Sequence, residues 1–357
     1  MRIIIAGGGT GGHVFPAISV ANEISERNEG DEILFVGTKR GMENELVVKH
    51  GYEIKHISSK GFVGRGLLNK GLASVHAIKG LLDSASIIKD YKPDVVLGVG
   101  GYVSGPFLMS AVMLRVPTAI CEQNTVPGVT NRILGRFVDK IFASFDSSVQ
   151  FFPSHKVHIT GNPIRKDILN SKVESSEGDS INILIFGGSQ GATSLNRSLP
   201  QAFSKIKREN INIVHQTGKK DLDLVSDLYD DHGIDASVHE FIHDMAEAYS
   251  KAHLVIGRAG AGTIAEITAL GKPSILVPFP FAAHDHQLEN AKILHERQAA
   301  FLIEDKYATP EKLAQELENI LQIEILESMS EQSKRLGKPQ ASKDIVDTLY
   351  KMAGVGR

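Results

Sequence analysis

Four short glycine-rich segments follow apolar runs of the sequence, and their backbones could bind a phosphate. We call them loop 1 (Gly7–His13), loop 2 (Gly100–Pro106), loop 3 (Gly187–Ala192) and loop 4 (Gly257–Thr263). Glycine lets backbone N–H groups approach a ligand closely, and the start of a helix behind such a loop favours negative charge. A single loop of this kind is weak evidence, because tight turns also use glycine. Four of them, two in each half of the chain, predict a ligand that carries phosphate.

Loop 1 also has the G-x-G-x-x-G spacing of dinucleotide-binding domains. A nicotinamide-dependent dehydrogenase is therefore one candidate function. That fingerprint expects an acid near the end of the second strand, where it would hold a ribose. The second apolar run is instead followed by Lys39 and Arg40, and no acid occurs before Glu43. The two basic residues would suit the 2′-phosphate of NADP, so this test leaves the alternative open. None of the four loops has the G-x-x-x-x-G-K-[ST] pattern of ATPases.

The segment behind loop 4 carries polar side chains suited to a nucleotide sugar. Glu266 lies about one turn into the predicted helix, where a carboxylate could accept hydrogen bonds from both hydroxyls of a ribose. Alternatively, Glu266 is a surface acid whose negative charge is simply favourable near the start of a helix. Gln287 could bind sugar hydroxyls or merely complete a loop. His284 and His286 are two residues apart in a proline-flanked loop without further ligands nearby, so we predict no metal and no cofactor.

Three residues near the loops could exchange a proton or act as a nucleophile. His13 closes loop 1 and is our first candidate for a general base, because an imidazole titrates near neutral pH. The alternatives are that it binds substrate or caps its helix, since a helix start disfavours imidazolium. Glu122 is the second candidate, with an ion pair or a loop anchor as its alternative role. Cys121 is expected to be a small buried side chain rather than a nucleophile.

Short apolar runs alternate with helical stretches from one end of the chain to the other. The runs are mostly continuous, which is typical of parallel strands buried on both faces. We therefore predict an α/β fold. The predicted strands span residues 3–6, 33–36, 95–99, 118–121, 140–145, 157–160, 183–186, 211–215, 254–256, 274–277 and 300–302.

The second half of the chain repeats the strand, glycine loop and helix that open the first half. We predict two Rossmann-like, doubly wound domains that face a cleft, over residues 1–165 and 166–340, with a polar linker candidate at 171–180. A closing helix over 341–357 could pack back on the first domain. Residues that share a face of the two repeated helices are Ala17, Ile18, Ala21 and Ile24 in the first, and Leu195, Leu199, Ala202, Phe203 and Ile206 in the second.

The composition is that of a globular protein. The 357 residues are 42% hydrophobic and 23% charged, and the formal charge is -3. This balance argues against nucleic-acid binding, which usually brings a basic excess. The single cysteine indicates a reducing compartment, and the short apolar start is unlike a signal peptide. Residues 95–114 lack charges, but their clustered glycines predict a strand, a loop and a helix start rather than a membrane span.

Several segments occur in an order and at spacings that resemble one family. They are GGGTGGH followed by VFPA, EQN, GNPIR, GGSQGA, and GRAGAGTIAEI followed by HDHQ and NA. Over nearly its whole length the chain resembles the MurG family of peptidoglycan N-acetylglucosaminyltransferases. The resemblance implies a glycosyltransferase B fold and an inverting, metal-independent transfer of N-acetylglucosamine (GlcNAc) from UDP-GlcNAc. The acceptor would be the 4-hydroxyl of N-acetylmuramic acid (MurNAc) in undecaprenyl-pyrophosphoryl-MurNAc-pentapeptide, called lipid I, and the product would be lipid II.

The resemblance also implies roles for residues of the first half. Thr10, Gly11 and Gly12 would border the donor sugar and the acceptor. Asn124 would form a hydrogen bond with the GlcNAc, and Arg165 would reach the donor phosphate. Loops 1 and 2 would face the lipid-linked pyrophosphate.

In the second half, the resemblance implies a complete donor site. Ser189 would lie beside the diphosphate, the backbone of Ile242 would read the uracil, and Gln287 would hold GlcNAc hydroxyls. Phosphate and ribose would be held by the start of the helix behind loop 4, namely Ala261, Gly262, Thr263, Ile264, Ala265 and Glu266.

A lipid-linked acceptor would bring the protein to the cytoplasmic face of the cell membrane as a peripheral protein. Residues 60–79 carry Lys60, Arg65, Lys70 and Lys79 with no acid, interleaved with apolar residues. Such a stretch could lie on an anionic membrane surface. A core-packed helix with a basic rim is the alternative. The resemblance also implies contacts with other cell-wall synthesis proteins.

Two further functions stay open beside the transferase and the dehydrogenase. A different UDP-sugar enzyme, such as a UDP-GlcNAc 2-epimerase, would need extra acids in the cleft and would give residues 60–79 no purpose. A non-catalytic nucleotide-binding module would bind UDP-GlcNAc without turnover, and the His13→Ala substitution would leave its function unchanged.

Overall fold

The computed structural model describes residues 1–39, 41–58, 67–171, 180–188, 191–208 and 210–355, with the helix backbone alone over 67–78. The chain divides into two compact units. Unit 1 is Met1–Arg165 together with Pro339–Arg357, and unit 2 is Lys166–Lys338. Most of the linker candidate at 171–180 lies outside the described residues.

Unit 1 is built on a parallel sheet with the strand order β3-β2-β1-β4-β5-β6-β7. Its strands, among the described residues, are β1 (Arg2–Gly7), β2 (Glu32–Gly37), β3 (Glu53–His56), β4 (Val95–Gly100), β5 (Thr118–Glu122), β6 (Lys140–Ala143) and β7 (Val157–Ile159). Its first five helices are α1 (Gly11–Arg27), α2 (Glu43–Lys49), α3 (Leu67–Tyr91), α4 (Ser104–Met113) and α5 (Val129–Leu134). Short 3₁₀ helices span Asp146–Phe151 and Ser154–Lys156.

Strand β1 shows why the sequence of this sheet is continuously apolar. Ile3 and Ile5 pack into the core cluster on one face, whereas Ile4 and Ala6 pack into the cluster on the other face. All four are 0% exposed. Burial of each isoleucine contributes about 1.5–3 kcal/mol, so both faces of the sheet need a covering layer of helices. The prediction of doubly covered parallel strands is therefore confirmed for unit 1.

Unit 2 repeats this architecture with the strand order β10-β9-β8-β11-β12-β13. Its strands, among the described residues, are β8 (Ile181–Phe186), β9 (Ile211–Gln216), β10 (Ala236–His239), β11 (Leu254–Gly257), β12 (Ser274–Leu276) and β13 (Ala300–Leu302). Its helices are α6 (Lys166–Leu169), α7 (Thr193–Phe203), α8 (Leu222–Asp231), α9 (Met245–Lys251), α10 (Ala261–Ala269), α11 (His286–Glu296), α12 (Pro310–Ile320) and α13 (Ile323–Leu336). Short 3₁₀ helices span Lys219–Asp221, Ala283–Asp285 and Asp305–Tyr307.

The apolar faces predicted for the two repeated helices are buried as expected. All four predicted residues of α1 are buried, and so are the first four of α7. Helix α7 ends at Phe203, so Ile206 lies beyond it, but this side chain still packs against the unit 2 core.

The closing helix α14 (Ala341–Met352) belongs to unit 1, where it packs on α1. Its residues Ile345 and Leu349 are fully buried in the same core cluster as the apolar face of α1. Arg27 at the end of α1 forms an ion pair with Asp347. The first unit is therefore made from both ends of the chain.

Two strands were not predicted from the sequence, and both lie at sheet edges. Strand β3 has the sequence EIKH and β10 has the sequence ASVH, and neither contains a fully buried side chain. These two strands lack the continuous apolar run on which the strand prediction relied. The predicted strand at 140–145 is shorter than expected and ends at Ala143.

The uncharged stretch at 95–114 forms strand β4, a glycine turn and helix α4, as predicted. Among the described residues, no helix is long and apolar enough to cross a membrane.

Candidate functional site

All four glycine loops follow neighbouring strands at the points where the strand order reverses. In unit 1, loop 1 follows β1 and loop 2 follows β4, and these strands lie side by side. In unit 2, loop 3 follows β8 and loop 4 follows β11, which are also neighbours. Open parallel sheets bind ligands beyond the carboxyl ends of their strands at such reversal points. Each unit therefore presents a candidate binding site at its own reversal point.

Loops 1 and 2 pack together so closely that side chains are excluded between them. A Cβ on Gly101 would lie 2.4 Å from the carbonyl oxygen of Gly8. Gly100 and Gly101 also have φ angles of 103° and 81°, which other residues rarely adopt. The buried hydroxyl of Ser104 accepts a hydrogen bond from the Gly100 amide at 3.0 Å and donates to the Ala6 carbonyl at 2.9 Å. This hydroxyl thus joins the ends of β1 and β4.

His13 lies in the first turn of α1, against loop 2. Its Nδ1 lies 3.3 Å from Oγ1 of Thr10, and a Cβ on Gly100 would lie 2.7 Å from its Cδ2. Both contacts orient the half-buried imidazole. Gly11 and Gly12 begin the same helix, where backbone amides have no acceptor within the helix. One turn of the chain therefore gathers the candidate base and three predicted substrate-binding residues.

Glu43, the first residue of α2, turns its carboxylate toward loop 1, which the sequence analysis did not anticipate. Its Oε2 accepts a hydrogen bond from the Gly9 amide at 2.8 Å. Its Oε1 accepts from the Thr38 amide at 3.0 Å and from the Thr38 hydroxyl at 3.1 Å. Gly9 is the second glycine of the dinucleotide fingerprint, at which the backbone would approach a pyrophosphate. An acid fills that place here, which disfavours the NADP-dependent alternative.

Glu122 ends β5, the neighbour of β4, and is 2% exposed. Its carboxylate accepts hydrogen bonds from the Asn124 amide at 3.0 Å and from the Asn131 side chain at 2.8 Å. Burial raises the pKa of Glu122 to about 6, although these hydrogen bonds act in the opposite direction. The next residue, Gln123, donates to the Val99 carbonyl at 2.9 Å and so ties this segment to β4. The geometry is that of a loop anchor, one of the roles that the sequence left open for Glu122.

Two further residues flank this part of unit 1. Cys121 is buried, and burial raises the pKa of its thiol to about 12, which makes it a poor nucleophile. Arg165, predicted to reach a phosphate, stacks on α1, because its guanidinium carbon lies 5.2 Å from the ring centre of Phe15.

Loop 3 in unit 2 is held by a polar network behind it. A Cβ on Gly191 would lie 1.8 Å from the carbonyl oxygen of Thr217, so this approach requires glycine. Asn196 of α7 donates to the same carbonyl at 2.9 Å and to Asp221 at 2.9 Å. Ser189, predicted to contact the diphosphate, lies outside the described residues.

Gln216, at the end of β9, joins loop 3 to the segment that contains Ile242. Its Nε2 donates to the Gly188 carbonyl at 3.0 Å, and its Oε1 accepts from the Ile242 amide at 2.8 Å. Gln216 is 3% exposed, so both hydrogen bonds are shielded from water. The amide of Ile242 is therefore held within the protein, and sequence reasoning did not identify the residue that holds it.

Loop 4 leads into α10, the helix that carries the predicted phosphate and ribose contacts. A Cβ on Gly257 would lie 2.6 Å from the Phe186 carbonyl oxygen, so β11 and β8 meet without a side chain between them. Gly260 caps α10, and Ala261–Ala269 form the helix. The Oε2 of Glu266 accepts a hydrogen bond from the hydroxyl of the buried Tyr249 at 2.9 Å. Glu266 is therefore oriented from α9, through a residue that the sequence analysis did not single out.

Arg258 of loop 4 connects four segments around the start of α10. It donates to the carbonyls of Val277 and Pro278 at 3.0 and 3.1 Å. It also contacts Asp305 at 2.5 Å and the Ser194 hydroxyl at 3.0 Å. Its planar donor set can satisfy several acceptors at once, so this side chain fixes the loops that surround it.

Gln287 closes the loop that follows β12. Its Oε1 accepts a hydrogen bond from the Phe279 amide at 2.9 Å, so this oxygen is already used within the protein. His284 and Asp285 in this loop have φ angles of 55° and 52°. Within the part of the chain that the structure describes, no group of three or more His, Cys, Asp or Glu side chains could hold a metal ion.

Two family models match the chain. The glycosyltransferase family 28 N-terminal domain matches residues 3–143, and the glycosyltransferase family 28 C-terminal domain matches residues 182–348. The first match lies within unit 1, and the second covers most of unit 2 and reaches into α14.

Relatives and solved structures resemble the chain over its full length. A protein of Syntrophus aciditrophicus named UDP-N-acetylglucosamine–N-acetylmuramyl-(pentapeptide) pyrophosphoryl-undecaprenol N-acetylglucosamine transferase is 46% identical over 356 residues, which are 99% of each chain. The crystal structure of MurG from Acinetobacter baumannii has a TM-score of 0.83 at 34% identity and covers 98% of this chain and 99% of its own. UDP-GlcNAc 2-epimerase from Neisseria meningitidis, bound to UDP-GlcNAc, has a TM-score of 0.72 at 17% identity, covering 98% of this chain and 100% of its own. At that identity the epimerase shares the fold alone.

Proposed function

The chain belongs to the MurG family within glycosyltransferase family 28, and from this membership we propose that it transfers GlcNAc from UDP-GlcNAc to lipid I. The product is lipid II, a precursor of peptidoglycan. The observation that carries the proposal is the 46% identity over 99% of both chains with a relative whose name states this reaction. The epimerase likeness, at 17% identity, gives no comparable support for a different reaction.

Unit 2 binds the donor in this proposal. Glu266, oriented by Tyr249, accepts hydrogen bonds from the ribose hydroxyls, and the amides at the start of α10 face the diphosphate. The carbonyl of Ile242 reads the uracil, because the amide of this residue already donates to Gln216. Ser189 contacts the diphosphate, and Gln287 holds sugar hydroxyls through its amide nitrogen.

Unit 1 supplies the acceptor contacts and the base. The 4-hydroxyl of MurNAc attacks the anomeric carbon, the bond from that carbon to the UDP oxygen breaks, and its electron pair leaves with UDP. His13 takes the hydroxyl proton, supported by its contact with Thr10. Attack from the face opposite the leaving group inverts the anomeric centre. Thr10, Gly11 and Gly12 border the sugar and the acceptor.

Two other residues of unit 1 assist without taking the proton. Arg165 stabilises the charge that develops on the departing diphosphate. Glu122 anchors the segment that carries Asn124, because its carboxylate is directed to Asn124 and Asn131 inside the protein. Asn124 then binds the GlcNAc.

We also propose a peripheral position at the cytoplasmic face of the membrane. Residues 59–66 and the side chains of 67–78 lie outside the described part of the chain, so the membrane role of the basic stretch at 60–79 stays a prediction from the sequence. A second observation comes from an exposed surface of unit 1, where Ile133 and Phe137 are 52% and 50% exposed beside Arg132 and Arg136. Apolar and basic side chains together favour an anionic bilayer surface. Contacts with other cell-wall synthesis proteins stay a prediction.

Co-sedimentation with vesicles that contain an anionic phospholipid tests this position. We expect Phe137→Ser to bind less than the wild type, whereas Ile323→Ser, an equally exposed site in unit 2, should bind as the wild type does. Equal binding of both variants would remove this surface from the proposal.

The transfer itself is tested with labelled UDP-GlcNAc and a lipid I analogue in the presence of EDTA. We expect label in the lipid product only when the acceptor is present. His13→Ala should retain UDP binding and lose transfer, whereas His50→Ala, at an exposed site of unit 1, should behave as the wild type. Conversion of UDP-GlcNAc to its 2-epimer without acceptor would instead support an epimerase. Binding of UDP-GlcNAc without any conversion would support a non-catalytic module.

A further inference from the structure

Glu43 is a buried acid inside a glycine-rich surrounding that leaves room for nothing larger. The residue is 2% exposed. A Cβ on Gly8 would lie 2.4 Å from its Cδ, and a Cβ on Gly41 would lie 1.8 Å from its Oε2. A Cβ on Gly37 would lie 2.7 Å from its Cγ. Three glycines from three segments therefore make the space that the Glu43 side chain fills.

The carboxylate of Glu43 is ionised in this space. Burial opposes its charge, but the hydrogen bonds from the amides of Thr38 and Gly9 outweigh burial and hold the pKa of Glu43 below its usual value. One oxygen is used by Thr38 and the other by Gly9. The acid thus links the end of β2 to loop 1.

This link lies directly before the start of α1. Gly9 has a φ of 94°, and among the described residues no heavy atom beyond its chain neighbours lies within 4 Å of where its Cβ would be, so none of their side chains packs against this position. The next residue, Thr10, is the N-cap of α1, and its side chain forms no capping hydrogen bond. The hydrogen bond from the Gly9 amide to Glu43 is therefore one of the contacts that hold loop 1 directly before Thr10 and His13.

We propose that Glu43 is a positioning residue for the transfer reaction, which holds Gly9 and so orients Thr10 and His13 at the start of α1. The inference rests on the proposed function, in which His13 is the base. It also changes the role of the first half of loop 1. The Glu43 carboxylate accepts the hydrogen bond of the Gly9 amide, and its negative charge repels a second anion. A substrate pyrophosphate therefore does not bind at the Gly9 amide.

The test compares Glu43→Gln, Glu43→Asp and the wild type in the lipid I assay, with rates expressed per molecule that binds UDP. Glutamine keeps the shape, but its NH₂ group must face an N–H donor, either from Gly9 or from Thr38. We expect its kcat to fall by about 10- to 100-fold, the loss typical of a misplaced catalytic group. The Kd for UDP should change by less than about two-fold, because Glu43 contacts none of the residues proposed to bind UDP, which lie in unit 2 apart from Arg165. Glu43→Asp retains the charge and should recover part of the lost rate.

A second readout does not depend on activity. Hydrogen–deuterium exchange of the peptide that contains Gly9 should be faster in Glu43→Gln, while the peptide of loop 3 should exchange as in the wild type. Glu45→Gln is the matched control, because Glu45 lies on the same helix and is exposed.

The outcomes separate the two proposals. A wild type without transfer overturns the proposed function, whatever the variants do. An active wild type with an unchanged rate in Glu43→Gln overturns the positioning role. A fall in UDP affinity that matches the fall in rate, or unchanged exchange at Gly9, shows that Glu43 only supports the fold and equally overturns the inference.

Discussion

Removing the hydroxyl of Tyr249 is expected to weaken donor binding through Glu266 alone. Tyr249 is fully buried, and its hydroxyl donates to Glu266 at 2.9 Å. The Tyr249→Phe variant keeps the ring that packs edge-on against Phe186 and loses the hydrogen bond to Glu266. Glu266 then has more freedom to turn away from the ribose that we propose it binds.

The magnitude follows from the partial burial of Glu266. A hydrogen bond to a charged group contributes about 1.5–3 kcal/mol. Water can replace part of this at a half-buried carboxylate, so we expect Tyr249→Phe to weaken binding by about 1 kcal/mol, or about five-fold in the Kd for UDP-GlcNAc. Glu266→Ala removes both proposed ribose bonds and is expected to weaken binding by about 3 kcal/mol, or about 100-fold.

Isothermal titration of UDP-GlcNAc into the wild type, both single variants and the double variant measures the coupling. If Tyr249 acts through Glu266, Tyr249→Phe will not raise the Kd further in the Glu266→Ala background. Tyr229→Phe is the matched control, because Tyr229 is also fully buried in unit 2, but its hydroxyl pairs with His215 at 3.0 Å. We expect this control to lower the Tm and leave the Kd unchanged.

The result that would refute this reasoning is additivity. If Tyr249→Phe weakens binding equally with and without Glu266, the tyrosine acts by another route, such as the packing of α9. An unchanged Kd in Glu266→Ala would remove the ribose assignment itself.

Two further outcomes are expected for unit 2. Burial lowers the pKa of His215 to about 3, so below its usual value of about 6.5 the unfolded chain binds one more proton than the folded chain. The free energy of unfolding therefore decreases as the pH falls, by about 1.4 kcal/mol per pH unit between these two values. Urea unfolding at several pH values should show a smaller decrease for His215→Gln than for the wild type. Parallel plots of unfolding free energy against pH would contradict this. Gln216→Leu removes the bonds to Gly188 and Ile242 and should raise the Kd for UDP about ten-fold. Titration calorimetry measures the Kd for UDP of the wild type, of Gln216→Leu and of the exposed-site control Gln201→Leu. Equal Kd values for Gln216→Leu and the wild type would exclude the role of Gln216.

The sequence predicted the fold well where strands are buried on both faces. The run at residues 3–6 is apolar at every position because helices cover both sides of β1. The rule fails at two of the four edge strands, because β3 and β10 are largely exposed and their sequences resemble ordinary surface segments, whereas the edge strands β7 and β13 were predicted. The same rule therefore explains both the correct strands and the two that were missed.

The candidate site was predictable where chemistry is local in the sequence. Loop 1, loop 4 and Glu266 stand out because glycines, a helix start and an acid occur together along the chain. Glu43, Gln216 and Tyr249 did not stand out, because each acts through a contact with a segment distant in the sequence. Gly9 and Glu43, for example, are 34 residues apart, and only the fold of β2 and α2 brings them together.

The return of the chain to unit 1 has a consequence during protein synthesis. Residues 1–165 leave the ribosome long before α14 exists, so the surface of α1 that receives Ile345 and Leu349 stays uncovered until α14 is translated. Unit 2 is one continuous segment and can complete its core first. A chain that ends before residue 341 would keep this apolar surface exposed, which makes truncated products targets for chaperones and proteases.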